Sequence, residues 1–216
     1  MIDDSINYDY IIRYLRDLLP KRQGQVGELE QFAKKYEVPI SQPETMKLLE
    51  VLIRLGRVES VLEVGCAIGY SAINFCHAGA KKVDTVELSP DAARVARENF
   101  KQAGLSHCIT LYEGDAKEIL PTLEGQYDMI FMDAAKAQYQ EFFPHCMRLL
   151  RVGGLLVSDN VLYKGMTATD ELVQRRKITI VKRLRQYLTR ISSMEELETS
   201  VLPIGDGVAL SYKLKD

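Results

Sequence analysis

Along residues 6–19 polar and apolar positions alternate with helical spacing, which predicts an amphipathic helix with Ser5 as candidate N-cap. Val26, Leu29, Phe32, Ala33 and Tyr36 form a second helical stripe. Residues 38–43 contain Pro39 and Pro43, and each proline disfavours helix at the residue before it, so this stretch is expected to be extended. Pro43 suits the first turn of a third helix reaching about Leu55. From Ser60 the pattern changes. Short apolar runs at 61–64, 82–86, 108–112, 127–132 and 155–158 alternate with helical stretches near 71–78, 90–103, 116–120 and 139–150. Ser89-Pro90-Asp91 reads as a helix start: an N-cap, a proline at the first position, an acid in the first turn. A helix over 170–191 follows, and then strands at 197–202 and 208–213 flank the turn Pro203-Ile204-Gly205-Asp206-Gly207. Alternating strands and helices predict an α/β fold with a parallel sheet covered on both faces, ending in an antiparallel pair. No repeat or linker interrupts residues 1–216, so they are expected to form one domain, with a helical cap over 1–56 and a core over 57–216.

Composition adds exclusions. A chain of 216 residues, 46% hydrophobic and 27% charged, can bury a core without disulfide or metal staples. No apolar run approaches the ~18 residues of a membrane span. Met1-Ile2-Asp3-Asp4-Ser5 lacks the basic start and apolar block of a signal peptide, so no membrane partner and a cytoplasmic location are expected. Cys66, Cys76, Cys108 and Cys146 are scattered without metal-ligand spacing, as free thiols in a reducing compartment would be. His77, His107 and His145 share no obvious site.

Residues 61–71 run from a buried strand through Gly65-Cys66-Ala67-Ile68-Gly69 into a helix beginning near Ser71. The two glycines let the backbone pass close to a ligand at the carboxyl end of the first strand. Glu87 ends the next strand, where a carboxylate would accept from ribose hydroxyls. Gly114-Asp115-Ala116 follows the third, placed to address an adenine ring. The spacing G-x-x-x-G lacks the middle glycine that lets a pyrophosphate approach in G-x-G-x-x-G, so a nucleoside without phosphates fits better than a dinucleotide. A tight turn without a ligand is the plain alternative. These residues resemble the class I S-adenosylmethionine-dependent methyltransferases. That resemblance implies a Rossmann-like, seven-stranded sheet ending in an antiparallel hairpin. It also implies S-adenosylmethionine as donor, held by Gly65, Gly69, Ser71, Glu87, Asp115 and Ala116, with Asp133 nearby.

Two further strand ends carry carboxylates, Asp133 in Asp133-Ala134-Ala135-Lys136 and Asp159 in Asp159-Asn160. Two carboxylates and an amide oxygen make a hard, all-oxygen donor set suited to Mg²⁺, with Mn²⁺ also open. A divalent cation lowers the pKa of a hydroxyl and fixes its oxygen, which methyl transfer to oxygen requires. Lys136 could take the proton. Helix caps or Asx-turns at strand ends remain the alternative for each aspartate. With Pro203-Ile204-Gly205-Asp206-Gly207, these motifs resemble the metal-dependent O-methyltransferases of the catechol and caffeoyl-CoA type from about Val38 to Lys213. The resemblance implies Asp133, Asp159 and Asn160 as metal ligands, Lys136 as candidate base, and Ile40 over the donor's methionine end.

The acceptor is the harder question. Arg175, Arg176, Lys177, Lys182, Arg183, Arg185 and Arg190 crowd the predicted 170–191 helix, whose apolar stripe is Val181, Leu184, Leu188 and Ile191. Such a cluster fits a phosphate backbone, with Lys164, Tyr163 and Tyr139 adding contacts; a solvated helix face is the alternative. The segments 131–143 and 158–165, with Arg175-Arg176-Lys177, resemble the bacterial tRNA 5-hydroxyuridine methyltransferases. That resemblance implies formation of 5-methoxyuridine at the tRNA wobble position. The 5-hydroxyl and 4-carbonyl oxygens are vicinal and could chelate a metal as catechol oxygens do, and an anticodon loop presents the base unstacked. A small catechol or caffeoyl-CoA-type acceptor, and a non-catalytic RNA-binding protein, are the competing readings. The N-terminal helices are expected to cover the donor or to form a homodimer contact, and the sequence leaves both open.

Overall fold

The computed structural model describes residues 6–216, so the candidate cap Ser5 lies outside the described residues. Seven strands form a sheet in the order β3-β2-β1-β4-β5-β7-β6, the mixed α/β, Rossmann-like arrangement expected from the alternation and the motifs. The chain divides into two compact units, Leu15–Ile119 and Met1–Tyr14 with Leu120–Asp216. No helix among the described residues is long and apolar enough to cross a membrane.

The first helix, α1 (Asp9–Asp17), is shorter than the 6–19 pattern suggested. In the unit Leu15–Ile119, α2 (Gly24–Tyr36) and α3 (Pro43–Gly56) precede β1 (Ser60–Val64), α4 (Tyr70–Ala78), β2 (Lys82–Glu87), α5 (Pro90–Gln102), β3 (Ile109–Glu113) and α6 (Ala116–Ile119). Pro43 opens α3 as predicted. The Ser89 side chain caps α5 by accepting from the Ala92 amide at 3.3 Å. The three strands are parallel, pairing Val61 with Val83 and Val83 with Ile109. Val61, Leu62 and Val64 are fully buried, as a strand covered on both faces must be.

The unit Met1–Tyr14 with Leu120–Asp216 holds β4 (Tyr127–Met132), α7 (Tyr139–Leu149), β5 (Leu150–Ser158), α8 (Ile178–Ser193), β6 (Leu197–Leu202) and β7 (Val208–Lys213). β4 and β5 are parallel; β7 runs antiparallel to both β5 and β6, the hairpin the Gly-rich turn announced. β5 begins five residues earlier than its apolar run, because Gly153-Gly154 belongs to the strand and not to a loop. A Cβ on Gly154 would lie 2.7 Å from Leu150 Cδ1 and 2.8 Å from the Arg151 carbonyl oxygen, and the β4–β5 register shifts between Tyr127 and Met129. The glycines accommodate a bulge.

The second departure is the basic helix. It starts at Ile178 after a 3₁₀ turn over Arg175–Lys177, so residues 170–174 are not helical. Local bonds win there: Thr169 Oγ1 accepts from the Glu171 amide, and the Asp170 carboxylate takes the Arg185 guanidinium at 2.6 Å. Tyr187, with Val181, Leu184 and Ile191, forms the buried stripe of α8, while Leu188 is only half-buried.

Candidate active site

In the unit Leu15–Ile119, the loop after β1 is tied to the end of β2 by one side chain. Glu87 Oε2 accepts from the amides of Cys66 (3.2 Å) and Ala67 (2.7 Å), and Oε1 accepts from the Ser89 amide (2.8 Å). A carboxylate offers about four acceptor sites, so one is left on Oε1 for a ligand hydroxyl. Ala67 sits in the left-handed region at φ 47°, held there by that carboxylate. Gly69, at φ 84°, has no room for a side chain: a Cβ would lie 2.4 Å from Phe100 Cε1. Asn99 of α5 donates to the Ile68 carbonyl at 2.8 Å, a support that no motif signalled.

Gly65 donates to the Val86 carbonyl and Gly114 to the Glu87 carbonyl, so the loops after β1 and β3 both fasten onto β2. Asp115 Oδ1 caps α6 through the Lys117 amide at 2.9 Å, and Ala116 is buried beside it. Gly65, Gly69, Glu87, Asp115 and Ala116 are therefore brought to adjoining strand ends. Ser71 differs: its hydroxyl donates to the buried Glu63, which also accepts from Thr85 Oγ1 at 2.5 Å. Ile40 is half-buried in the extended segment before α3.

In the unit containing Leu120–Asp216, β4 ends at Met132 and β5 at Ser158, so Asp133 and Asp159-Asn160 emerge from neighbouring parallel strands. The Lys136 ammonium donates to Asp133 Oδ1 at 2.6 Å. Asp159 is buried, and its Oδ1 accepts from the Asn160 amide at 2.7 Å. Burial first, and then the charge of Asp133, push the Asp159 carboxyl up to about 7. Asn160 is left-handed at φ 53°, as are Tyr163 (46°) and Lys164 (58°). The β6–β7 turn holds this loop. Val161 and Leu162 amides donate to the Gly207 and Asp206 carbonyls, and the Lys164 amide donates to Asp206 Oδ1.

Among the described residues no three His, Cys, Asp or Glu side chains cluster as a ready metal site. The donor set is two carboxylates and one amide. It nevertheless fits a divalent cation, because it holds a buried carboxylate, Asp159, beside Asp133, whose charge raises it, and a cation would favour both in their charged form.

The seven cations do different jobs. Arg185 donates to the Met166 and Thr167 carbonyls and pairs with Asp170, so it pins the loop before α8. Arg183 donates to the Ala137 carbonyl, Arg190 lies 4.7 Å from the Phe143 ring centroid, and the Lys177 ammonium lies 5.7 Å from that of Tyr163. Arg175, Arg176 and Lys182 are exposed and make no ion pair among the described residues. Lys164 is exposed too. Tyr139, expected to contact an acceptor, is fully buried and cannot.

Residues 23–214 match the family described as O-methyltransferase. The chain belongs to the O-methyltransferase family. The methyltransferase is 33% identical to a catechol O-methyltransferase from Niastella koreensis, over 78% of this chain and 80% of that protein. It superimposes on a Staphylococcus aureus structure of the caffeoyl-CoA O-methyltransferase type with TM-score 0.88 and 34% identity, over 95% of this chain and all of that one. It also matches TomG of Streptomyces achromogenes, solved in complex with SAM, with TM-score 0.83 and 26% identity over 96% and 97% of the two chains.

Proposed function

We propose that the chain is an S-adenosylmethionine-dependent, divalent-metal-dependent O-methyltransferase whose acceptor is 5-hydroxyuridine at the tRNA wobble position, giving 5-methoxyuridine. The observation that carries the chemistry is Asp159, buried beside Asp133 with Lys136 2.6 Å from Asp133 Oδ1. The Glu87-tied loop supports a nucleoside donor, and TomG binds SAM on the same fold. The RNA acceptor is supported by Arg175, Arg176 and Lys182, exposed cations that the protein leaves without ion pairs among the described residues.

Methyl transfer forms an O–CH₃ bond, breaks an S–CH₃ bond and releases one proton from the acceptor hydroxyl. A divalent cation at Asp133, Asp159 and Asn160 would lower that hydroxyl's pKa and fix its oxygen. Lys136 Nζ, an ammonium where it donates to Asp133 Oδ1, would have to lose one proton to solvent before the substrate enters; the resulting neutral amine is then the group to receive the hydroxyl proton. Glu87 Oε1 offers its remaining acceptor site to a donor hydroxyl while Oε2 keeps the Cys66 and Ala67 amides in place. Asp115, half-buried and fixed by the Lys117 amide, lines the base end.

The deciding assay is methyl transfer to tRNA carrying 5-hydroxyuridine, with and without chelator, beside a simple catechol. Chelator-sensitive 5-methoxyuridine formation, far faster than catechol turnover, is expected. A second reading, a small vicinal diphenol as acceptor, is favoured by the likeness to the Niastella koreensis catechol O-methyltransferase. Catechol turnover with inert tRNA would establish it; tight tRNA binding without transfer to either would favour a non-catalytic RNA binder.

A further inference from the structure

Under the two acidic strand ends lies a tyrosine hydroxyl with no part in the chemistry above. Tyr139 opens α7 and is fully buried. Its hydroxyl lies 2.8 Å from the Met132 carbonyl oxygen and 3.0 Å from the Asp159 carbonyl oxygen. The Met132 carbonyl also accepts from the Asp159 amide at 3.0 Å. One phenol thus closes a ring of bonds between the residue before Asp133 and Asp159 itself. Its single proton is shared between two carbonyl acceptors, neither of which can donate, so the phenol is the donor in both bonds. The Lys136 ammonium lies 5.6 Å from the same ring's centroid.

Packing alone does not ask for this hydroxyl. The Tyr139 ring meets Tyr187 edge-on at 5.5 Å between centroids, a contact a phenylalanine would keep. Tyr187 is an internal comparison: equally buried, its hydroxyl pairs with Ser158 Oγ at 2.6 Å and makes no bond to the main chain of Met132 or Asp159. Two side chains of like size in one aromatic cluster therefore differ in the partners of their hydroxyls. Only the Tyr139 hydroxyl binds both strand ends from which the carboxylates emerge.

We propose that Tyr139 is the positioning residue of the oxygen cluster: by binding the Met132 and Asp159 carbonyls together it fixes the spacing of Asp133 and Asp159, and so sets the affinity for a divalent cation. This rests on reading the cluster as a cation site. Partners that orient metal ligands are generally worth 10–100-fold in metal affinity. The backbone carbonyls here act one step removed, through the main-chain positions of the ligand residues.

The test measures Mn²⁺ binding calorimetrically on the full chain without donor or acceptor, for wild type, Tyr139→Phe, Tyr187→Phe and Asp159→Asn, with thermal melts of each. Tyr139→Phe is expected to weaken Mn²⁺ roughly 10–100-fold, while Tyr187→Phe stays within about threefold of wild type. Para-aminophenylalanine at position 139, which keeps a donor, should recover most of the loss and keeps the test usable should Tyr139→Phe fold poorly. Loss of binding in Asp159→Asn with wild-type affinity in Tyr139→Phe would overturn the positioning role and leave the cation site standing. Equal weakening in both tyrosine variants, tracking their melting temperatures, would reduce Tyr139 to packing and overturn it too. Wild type binding Mn²⁺ no better than Asp159→Asn would remove the cation site and this role together.

Discussion

Glu87 does more than offer a ribose acceptor. Three backbone amides converge on it, and hydrogen bonds to a charged acceptor contribute about 1.5–3 kcal/mol each when buried, less for a half-exposed carboxylate such as this one. Glu87→Ala should therefore cost roughly 2–4 kcal/mol of stability as well as donor affinity, checked by denaturant titration and by calorimetry with S-adenosylmethionine. Loss of donor affinity without loss of stability would mean the loop is held by other means. Asp159 makes a pH prediction of opposite sense to an ordinary salt-bridged aspartate. Its carboxyl is raised to about 7 in the fold from about 3.9 in the unfolded chain, so between these values the folded state holds more protons. Without metal its contribution is therefore fully present below about pH 4 and lost as pH rises through about 7. Wild-type stability relative to Asp159→Asn should fall by on the order of a few kcal/mol between pH 5 and 8, measured by thermal melts with chelator. Divalent cation should restore it at pH 8; a flat difference curve would show that Asp159 is already ionised at no cost.

At the scale of elements, the turn Pro203–Gly207 and the loop 160–165 are one construction. A Cβ at Gly207 would lie 2.4 Å from Leu162 Cγ, and Asp206 accepts from the amide of left-handed Lys164. Asp206→Ala should speed amide exchange across 160–167 at least tenfold and lower methyl transfer, with melting temperature changed little; unchanged exchange would separate the turn from the loop. The motif was visible in the sequence, but its use was not, because a hydrogen bond between residues forty-two apart leaves no local pattern. The same reason hid Asn99, whose amide supports the Ile68 carbonyl from α5, and the inward turn of Tyr139, which the helix predicted over 139–150 does not specify. Strands were legible as short apolar runs where both faces are covered, as in β1, β2 and β4, and helices by their period where one face is buried, as in α5. The pattern failed at Gly153-Gly154, where a bulge needs loop-like residues inside a strand, and at 170–174, where Thr169 and Asp170 bond locally instead of extending α8. The positions of Asp133, Asp159 and Glu87 were legible because strand ends fix where such residues emerge. The bond from the Ser71 hydroxyl to Glu63 inside the core was not, because it joins residues on a helix and a strand.

For the whole molecule, a formal charge of −2 conceals a separation. Residues 171–190 carry seven basic side chains and one acid, leaving the remainder acidic. Only part of that excess is available to a partner. Arg185 is committed to carbonyls and Asp170, Arg183 to Ala137, Arg190 to the face of Phe143 and Lys177 to Tyr163. Arg175, Arg176 and Lys182 remain exposed, on the 3₁₀ turn and first turns of α8 in the unit that carries Asp133 and Asp159. If they meet phosphates, each contact to a single-stranded loop contributes about 0.7 to the slope of log affinity against log salt. Replacing all three by alanine should then flatten the slope for tRNA by about 2 and weaken binding more than tenfold at low salt. It should leave melting temperature and any turnover of a small catechol unchanged. Arg185→Ala should do the reverse, lowering stability through the freed Met166 and Thr167 carbonyls with little change in slope. An unaltered slope in the triple variant would strip the RNA reading of its electrostatic support and leave the small-molecule acceptor as the better account, since the oxygen cluster itself serves either.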